Sequence, residues 1–210
     1  MGKKNLWILV LIPLLVFTGC AKPPEQEMAQ ANEALQAATS AQADVYAATE
    51  QAGAQDAVAK AQAEVEAQNA KFVLFRNYGQ AKTMYAAAIE SANKAKEAAI
   101  VNKEAVKAEA TTLSAEAKTA VDEAGKALKS APRGKDTKAE LDAMNADLQS
   151  LTAMLSEVDG AMAKEDFMGA KNKAQSVKEK AMSIQSEVQA AKEKMKSAPK
   201  KHSGGKGKKK

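Results

Sequence analysis

Between Glu25 and Lys196 the sequence holds a single proline, Pro132, and is built mainly from Ala, Glu, Lys, Gln and Met. These residues all favour the helix, and proline is the residue that most strongly interrupts one. The chain therefore reads as all-α. Aromatic residues make up only 4% of it, so its core cannot be bulky, and stability has to come from helices packed along their length.

Local punctuation divides the helical stretch. Gly53 with Asp56, Asn77-Tyr78-Gly79, Ser130 through Asp136, and Asp159-Gly160 through Asp166 carry turn and cap residues. They predict about five helices, near 26–51, 55–75, 79–131, 137–159 and 166–197. The third, if unbroken, would run on the order of 75 Å at ~1.5 Å per residue. The expected architecture is elongated antiparallel helical hairpins or a coiled-coil bundle with one long helix.

Hydrophobic spacing is clearest in the last two helices. Leu141, Met144, Leu148, Leu151, Leu155, Val158 and Met162 recur at steps of three and four, as do Phe167, Ala170, Ala174, Val177, Ala181, Ile184, Val188, Ala191 and Met195. The short connection between these seams makes the helices antiparallel, with the large residues of one filling the space left by the alanines of the other. Methionine on such a seam is core filling rather than a metal ligand. The first half carries a thinner version: Val58, Ala61, Val65, Phe72 and Phe75 form one stripe, and Tyr78, Ala81, Tyr85, Ala88, Ala92, Ala95 and Ala99 another. The third helix resumes its stripe at Val106, Ala110, Leu113, Ala117 and Ala120 after Asn102 and Lys103, which predicts a bend or a change of partner near Ile100 to Lys103. Its first part is expected on helices one and two, and its second part as a connector toward the C-terminal hairpin.

A short internal repeat accompanies that division. Asn77-Tyr78-Gly79-Gln80-Ala81-Lys82 aligns with Asp166-Phe167-Met168-Gly169-Ala170-Lys171, 89 residues later. Each copy opens a helix, with Asn or Asp able to cap free N–H groups and the aromatic ring able to pack against the preceding helix. The reading is duplication of a helical hairpin.

Ahead of the helices, Met1-Gly2-Lys3-Lys4 supplies a positive start, Leu6 to Phe17 an apolar stretch of 12 residues, and Thr18-Gly19-Cys20 a small-small-Cys ending. The stretch is shorter than the roughly 20 residues a bilayer-spanning helix needs, and Pro13 interrupts it. It reads as an export signal cleaved before Cys20. Val16-Phe17-Thr18-Gly19-Cys20 resembles the bacterial lipobox, with Phe17 where Leu is usual, which makes Cys20 the expected site of lipid attachment. More than one acyl chain on a single residue holds a protein on a membrane where one chain is marginal. Ala21 follows where an aspartate would be the retention signal, so similarity to the enterobacterial sorting rule implies the outer membrane, facing the periplasm.

The formal net charge is +5 for the whole chain. Without residues 1–19 it becomes +3, and without the tail from Pro199 onward −3. The basic balance is thus a property of Lys200, Lys201, Lys206, Lys208, Lys209 and Lys210, spaced by Gly and Ser in a segment that cannot bury apolar surface. Cys20 is the only cysteine and Trp7 the only tryptophan, so a processed chain has no thiol for a disulfide and no tryptophan.

With the lipobox, the Pro23-Pro24 tether, the Ala-rich helix from Met28 to Leu35, and Tyr78-x-x-Ala81 followed by Ala88, Ala92 and Ala95, residues 20–100 resemble the Ala-rich helical bacterial lipoproteins grouped as a domain of unknown function. That family's Tyr-Ala-Pro turn is Tyr46-Ala47-Ala48 here. The resemblance implies a periplasm-facing helical hairpin and no catalytic residues. The chain is also similar to the murein lipoproteins of the outer membrane in its N-terminal lipid, helical body and C-terminal lysine, although it lacks their aromatic-Arg-Lys ending.

Motifs that would carry chemistry are missing from the sequence. His202 is the only histidine and stands in the tail; there is no HExxH, no phosphate loop and no serine elbow. Acid pairs such as Glu64 with Glu66, or Glu187 with Glu193, read as solvated helix faces. No enzyme activity, cofactor, metal or catalytic residue is expected, and export removes nucleic acid from the tail's partners. The domain layout is signal 1–19, tether 20–25, Ala-rich helical region 26–131, coiled-coil hairpin 137–197 and Lys-rich tail 198–210. The expected function is a structural or scaffolding lipoprotein that engages a helical envelope protein or anionic envelope polymer, its seams also permitting a homo-oligomer. One alternative is a tether joining the outer membrane to peptidoglycan through Lys210. The other is a stress-protective amphipathic chain similar to desiccation-related Ala/Lys helices.

Overall fold

In a computed structural model that describes residues 22–134 and 137–197, helices are the only regular structure. They are α1 (Glu25–Ser40), α2 (Ala43–Tyr46), α3 (Ala48–Asn69), α4 (Gly79–Lys129), α5 (Lys138–Ala163) and α6 (Phe167–Ser197). A single 3-10 turn, Val73–Phe75, lies between α3 and α4. The all-helical class and the one long helix agree with the sequence reading. The described chain divides into two compact units after Ala99, inside α4 rather than at the 131–137 loop.

In unit 1 the first turn falls at Ser40–Ala47 and not at Gly53. Gln42 takes a left-handed φ of 61° there, and Ala43, Tyr46 and Ala47 are buried beside it. None of those residues is a usual turn former, whereas Gly53 sits on the exposed side of α3, where an added Cβ would meet nothing within 4 Å. Glycine lowers helix stability without ending the helix. Ala31, Val58, Ala61, Tyr85 and Ala88 form the core in which α1, α3 and the start of α4 meet. Buried glutamines tie the frame together: Gln51 Nε2 donates to Thr39 Oγ1 at 2.9 Å, a bond between α1 and α3.

Unit 2 joins the second part of α4 to α5 and α6. Ala110, Ala117, Val121, Ala124 and Leu128 of α4 are buried with Leu141, Leu151 and Val158 of α5 and Phe167, Val177, Ile184 and Val188 of α6. The seams read from the sequence are therefore core, but α4 is a full third member of this bundle and not a connector to a two-helix hairpin. Its partner register is regular. Lys103 meets Glu165 at 2.9 Å, Lys171 meets Glu109, Lys178 meets Glu116 at 2.7 Å, and Lys192 donates to Ser130 at 3.0 Å. Each pair is separated by 62 positions, and from Glu109 on the steps are multiples of seven, so α4 and α6 run parallel in heptad register. Lys118 to Asp159 at 2.9 Å and Lys173 to Glu157 bring in α5.

The repeat opens the last helix of each unit, α4 in unit 1 and α6 in unit 2. Asn77 Oδ1 accepts from the Gly79 amide at 2.9 Å, and Asp166 Oδ1 from the Gly169 amide at 2.9 Å. Tyr78 and Phe167 are both buried. Lys82 and Lys171, which occupy the same place in the repeat, reach Glu27 (2.9 Å) and Glu109, each on the first helix of its own unit. What recurs is thus the turn that leads from the preceding helix into the last helix of each unit.

Candidate functional site

The helix α3 stops six residues short of the expected end, and the reason lies in Arg76. Its guanidinium donates from Nη2 to the Asn69 carbonyl at 2.8 Å and from Nε to the Lys71 carbonyl at 3.0 Å, so a cation satisfies acceptors left free at a helix C-terminus. Gln68 Oε1 accepts from the Asn77 amide at 3.0 Å and from Lys71 Nζ at 3.1 Å. The Tyr78 hydroxyl donates to Asn69 Oδ1 at 2.5 Å. The base of the loop between α3 and α4 is consequently fastened by side chains on both flanks.

On that base stand four consecutive apolar residues. Phe72 is 67% exposed, Val73 41%, Leu74 70% and Phe75 74%. Phe72 and Phe75 pack on each other, with ring centroids 6.2 Å apart, and the Phe75 amide donates to the Phe72 carbonyl at 2.8 Å. Their expected place in a core stripe is thereby corrected: both rings face outward. The signal was available in Lys71-Phe-Val-Leu-Phe-Arg76, because four apolar residues in succession cover every side of a helix and cannot form one stripe.

The N-terminal tether reaches the same end of unit 1. Pro23, Pro24, Glu25 and Met28 line one small pocket with Val65 near the end of α3 and Tyr85 near the start of α4. Glu27 pairs with Lys82 across α1 and α4; the hydrogen bond from that ammonium holds the Glu27 carboxyl below its ordinary value. Tyr85 is fully buried, its hydroxyl has no protein partner among the described residues, and burial followed by the nearby charge of Glu66 raises its pKa.

In unit 2 the Lys103 hydrogen bond lowers the pKa of Glu165, and Lys173 acts likewise on Glu157. Lys103 and Lys107 also stand 5.6 Å from the centroid of the Phe167 ring, within cation–π reach. These groups join helices; they do not converge on a cavity. A groove lined by Asp122, Lys126, Arg133, Asp142 and Asn145 beside Leu148 mixes charges of both signs.

Of the residues singled out in the sequence, Cys20, Lys200, Lys201, His202, Lys206, Lys208, Lys209 and Lys210 lie outside the described residues, as do the signal segment and the tail. Among the described residues no group of three or more His, Cys, Asp or Glu is placed to hold a metal ion. No helix there is long and apolar enough to cross a membrane. Compared with protein-family models, curated proteins and solved structures, the chain matches none.

Proposed function

We propose that this chain is a lipid-anchored, non-enzymatic helical scaffold of the bacterial cell envelope, attached through Cys20 and presenting its two helical units to the periplasm. The observation that carries the reading is the N-terminal sequence, in which a Lys pair, a 12-residue apolar stretch and Thr18-Gly19-Cys20 follow one another. The order of the following segments supports it. Pro23 and Pro24 separate Cys20 from a helix that starts at Glu25, so a short tether leads from the lipid site into a folded body. The helical faces and the lysine tail are then its means of engaging a helical protein or an anionic envelope polymer.

Metabolic labelling with a fatty-acid analogue tests the anchor. The unaltered chain should incorporate label and fractionate with membranes, and Cys20→Ala should abolish both. Label that persists in Cys20→Ala overturns the proposal.

A further inference from the structure

We infer that the exposed loop Phe72-Val73-Leu74-Phe75 is a membrane-contacting element, which inserts its side chains into the interface of the lipid layer that receives the Cys20 anchor. This rests on the lipidation reading for its setting, but its evidence is separate. The loop occupies the end of unit 1 at which α3 stops, α4 starts and α1 begins. Pro23 lines the small pocket at that end with Val65 and Tyr85 and stands three residues from Cys20, a span of at most ~11 Å. A lipid on Cys20 would therefore hold this end of the unit, and no other, against the lipid surface.

Unit 2 supplies an internal control. Its corresponding entry, before Asp166 and Phe167, is made by Lys164 and Glu165 alone, both exposed and polar. Reversing the chain ahead of the cap and buried aromatic thus needs no apolar run. The additional residues of unit 1 are not consumed by packing either, since Phe72, Leu74 and Phe75 are each at least two-thirds exposed. Two aromatic rings and two aliphatic side chains held on a hydrogen-bonded base suit the headgroup and upper acyl region, where aromatic residues are favoured. Charges around the loop are mixed, with Lys22, Lys71, Arg76 and Lys82 against Glu25, Glu27, Glu64 and Glu66, so apolar contact rather than attraction to anionic lipid carries the association. That separates the loop from the lysine tail, whose binding to anions would be screened by salt.

The experiment has two arms. In the first, the acylated protein is placed in neutral phosphatidylcholine/phosphatidylethanolamine vesicles with an environment-sensitive fluorophore on Leu74→Cys or, at the opposite end of unit 1, on Val45→Cys. The label at 74 should shift to the blue and be quenched by bromolipids, while the label at 45 should stay in water. In the second, the chain from Ala21 onward is mixed with the same vesicles at low and high salt. Replacing Phe72, Leu74 and Phe75 together with Ser should lower partitioning on the order of tenfold or more, at either salt concentration, with the helical circular dichroism unchanged. A water-exposed label at 74 in the anchored protein overturns the inference while leaving the anchor standing. A blue shift at 74 that needs a second copy of the chain and no vesicles also overturns it, assigning the loop to self-association. Loss of partitioning in the Ser variant together with absence of acylation at Cys20 sustains the loop and overturns the anchor.

Discussion

Around Tyr85 the buried residues of unit 1 are Ala31, Val58, Ala61 and Ala88, whereas unit 2 buries Leu128, Leu141, Leu151, Val158, Phe167, Val177, Ile184 and Val188 along its length. The two units share a plan of three long helices and a repeated helix entry, yet they draw stability from different sources. Alanine lets helix backbones approach closely but removes little apolar area from water, at roughly 25 cal/mol per Å². Unit 1 adds side-chain hydrogen bonds through Gln51, Gln68 and Tyr78, only half-buries Leu35, Val65, Met84 and Ile89, and leaves Phe72, Leu74 and Phe75 on an exposed loop. Unit 2 puts such residues inside and adds a ladder of lysine–carboxylate pairs outside. A thin core thus leaves unit 1 dependent on very few large side chains, while unit 2 spreads the same task over many.

Tyr85→Ala should have the largest effect, about 3–5 kcal/mol for truncating a buried aromatic, and should unfold unit 1. Tyr85→Phe should be neutral or stabilising, because the removed hydroxyl has no partner among the described residues and leaving such a group buried costs about 1–3 kcal/mol. All three tyrosines lie in unit 1, so in a chain lacking Trp7 the fluorescence of Tyr46 and Tyr78 reports that unit alone. Denaturant titration followed by this signal would refute the dependence on Tyr85 if the Ala variant kept its midpoint.

Leu151→Ala comes next, at about 2–5 kcal/mol for a fully buried leucine; Leu148→Ala should cost less because Leu148 is half-buried. Both should shift the circular dichroism transition of unit 2 and leave the tyrosine transition in place. Equal movement of the two signals would mean that the units unfold as one, and the comparison would fail.

Gly53→Ala should stabilise unit 1 by about 0.5–1 kcal/mol, since the site is exposed, helical and open to a Cβ. A lowered tyrosine midpoint would restore the turn first expected at Gly53.

The smallest effect concerns acid. Glu27 and Glu90 in unit 1 and Glu157 and Glu165 in unit 2 have carboxyls held below the ordinary value of 4.5 by lysine hydrogen bonds. A depressed folded-state pKa contributes stability above the unfolded value, and that stability is lost as pH falls through the folded one. Both units should therefore weaken below pH 4.5, and to a comparable extent, because each holds two such carboxyls. Paired melts at pH 7 and pH 3, read by tyrosine fluorescence and by circular dichroism, check this; acid weakening confined to one unit would refute it.

Helix content, the α5 and α6 seams and the caps at Asn77 and Asp166 were legible in the sequence because they depend on neighbours within a turn or two. Propensity, heptad spacing and capping are short-range effects, and nothing distant reverses them here. Of the candidate functional residues, Cys20 and the lysine tail are legible only as linear motifs, and both lie outside the described residues. The outward loop was misread, because Phe72 and Phe75 keep an approximate helical spacing with Val65 while the Arg76 contacts that stop α3 at Asn69 come from beyond the stripe. Tertiary structure also decided that the chain turns at Gln42, with buried Tyr46 packed beside it, and that α4 belongs to two units. Alanine stripes look alike on every face and admit many partners; the 62-residue offset that matches Glu109 and Glu116 to Lys171 and Lys178 exists only once α6 lies alongside α4.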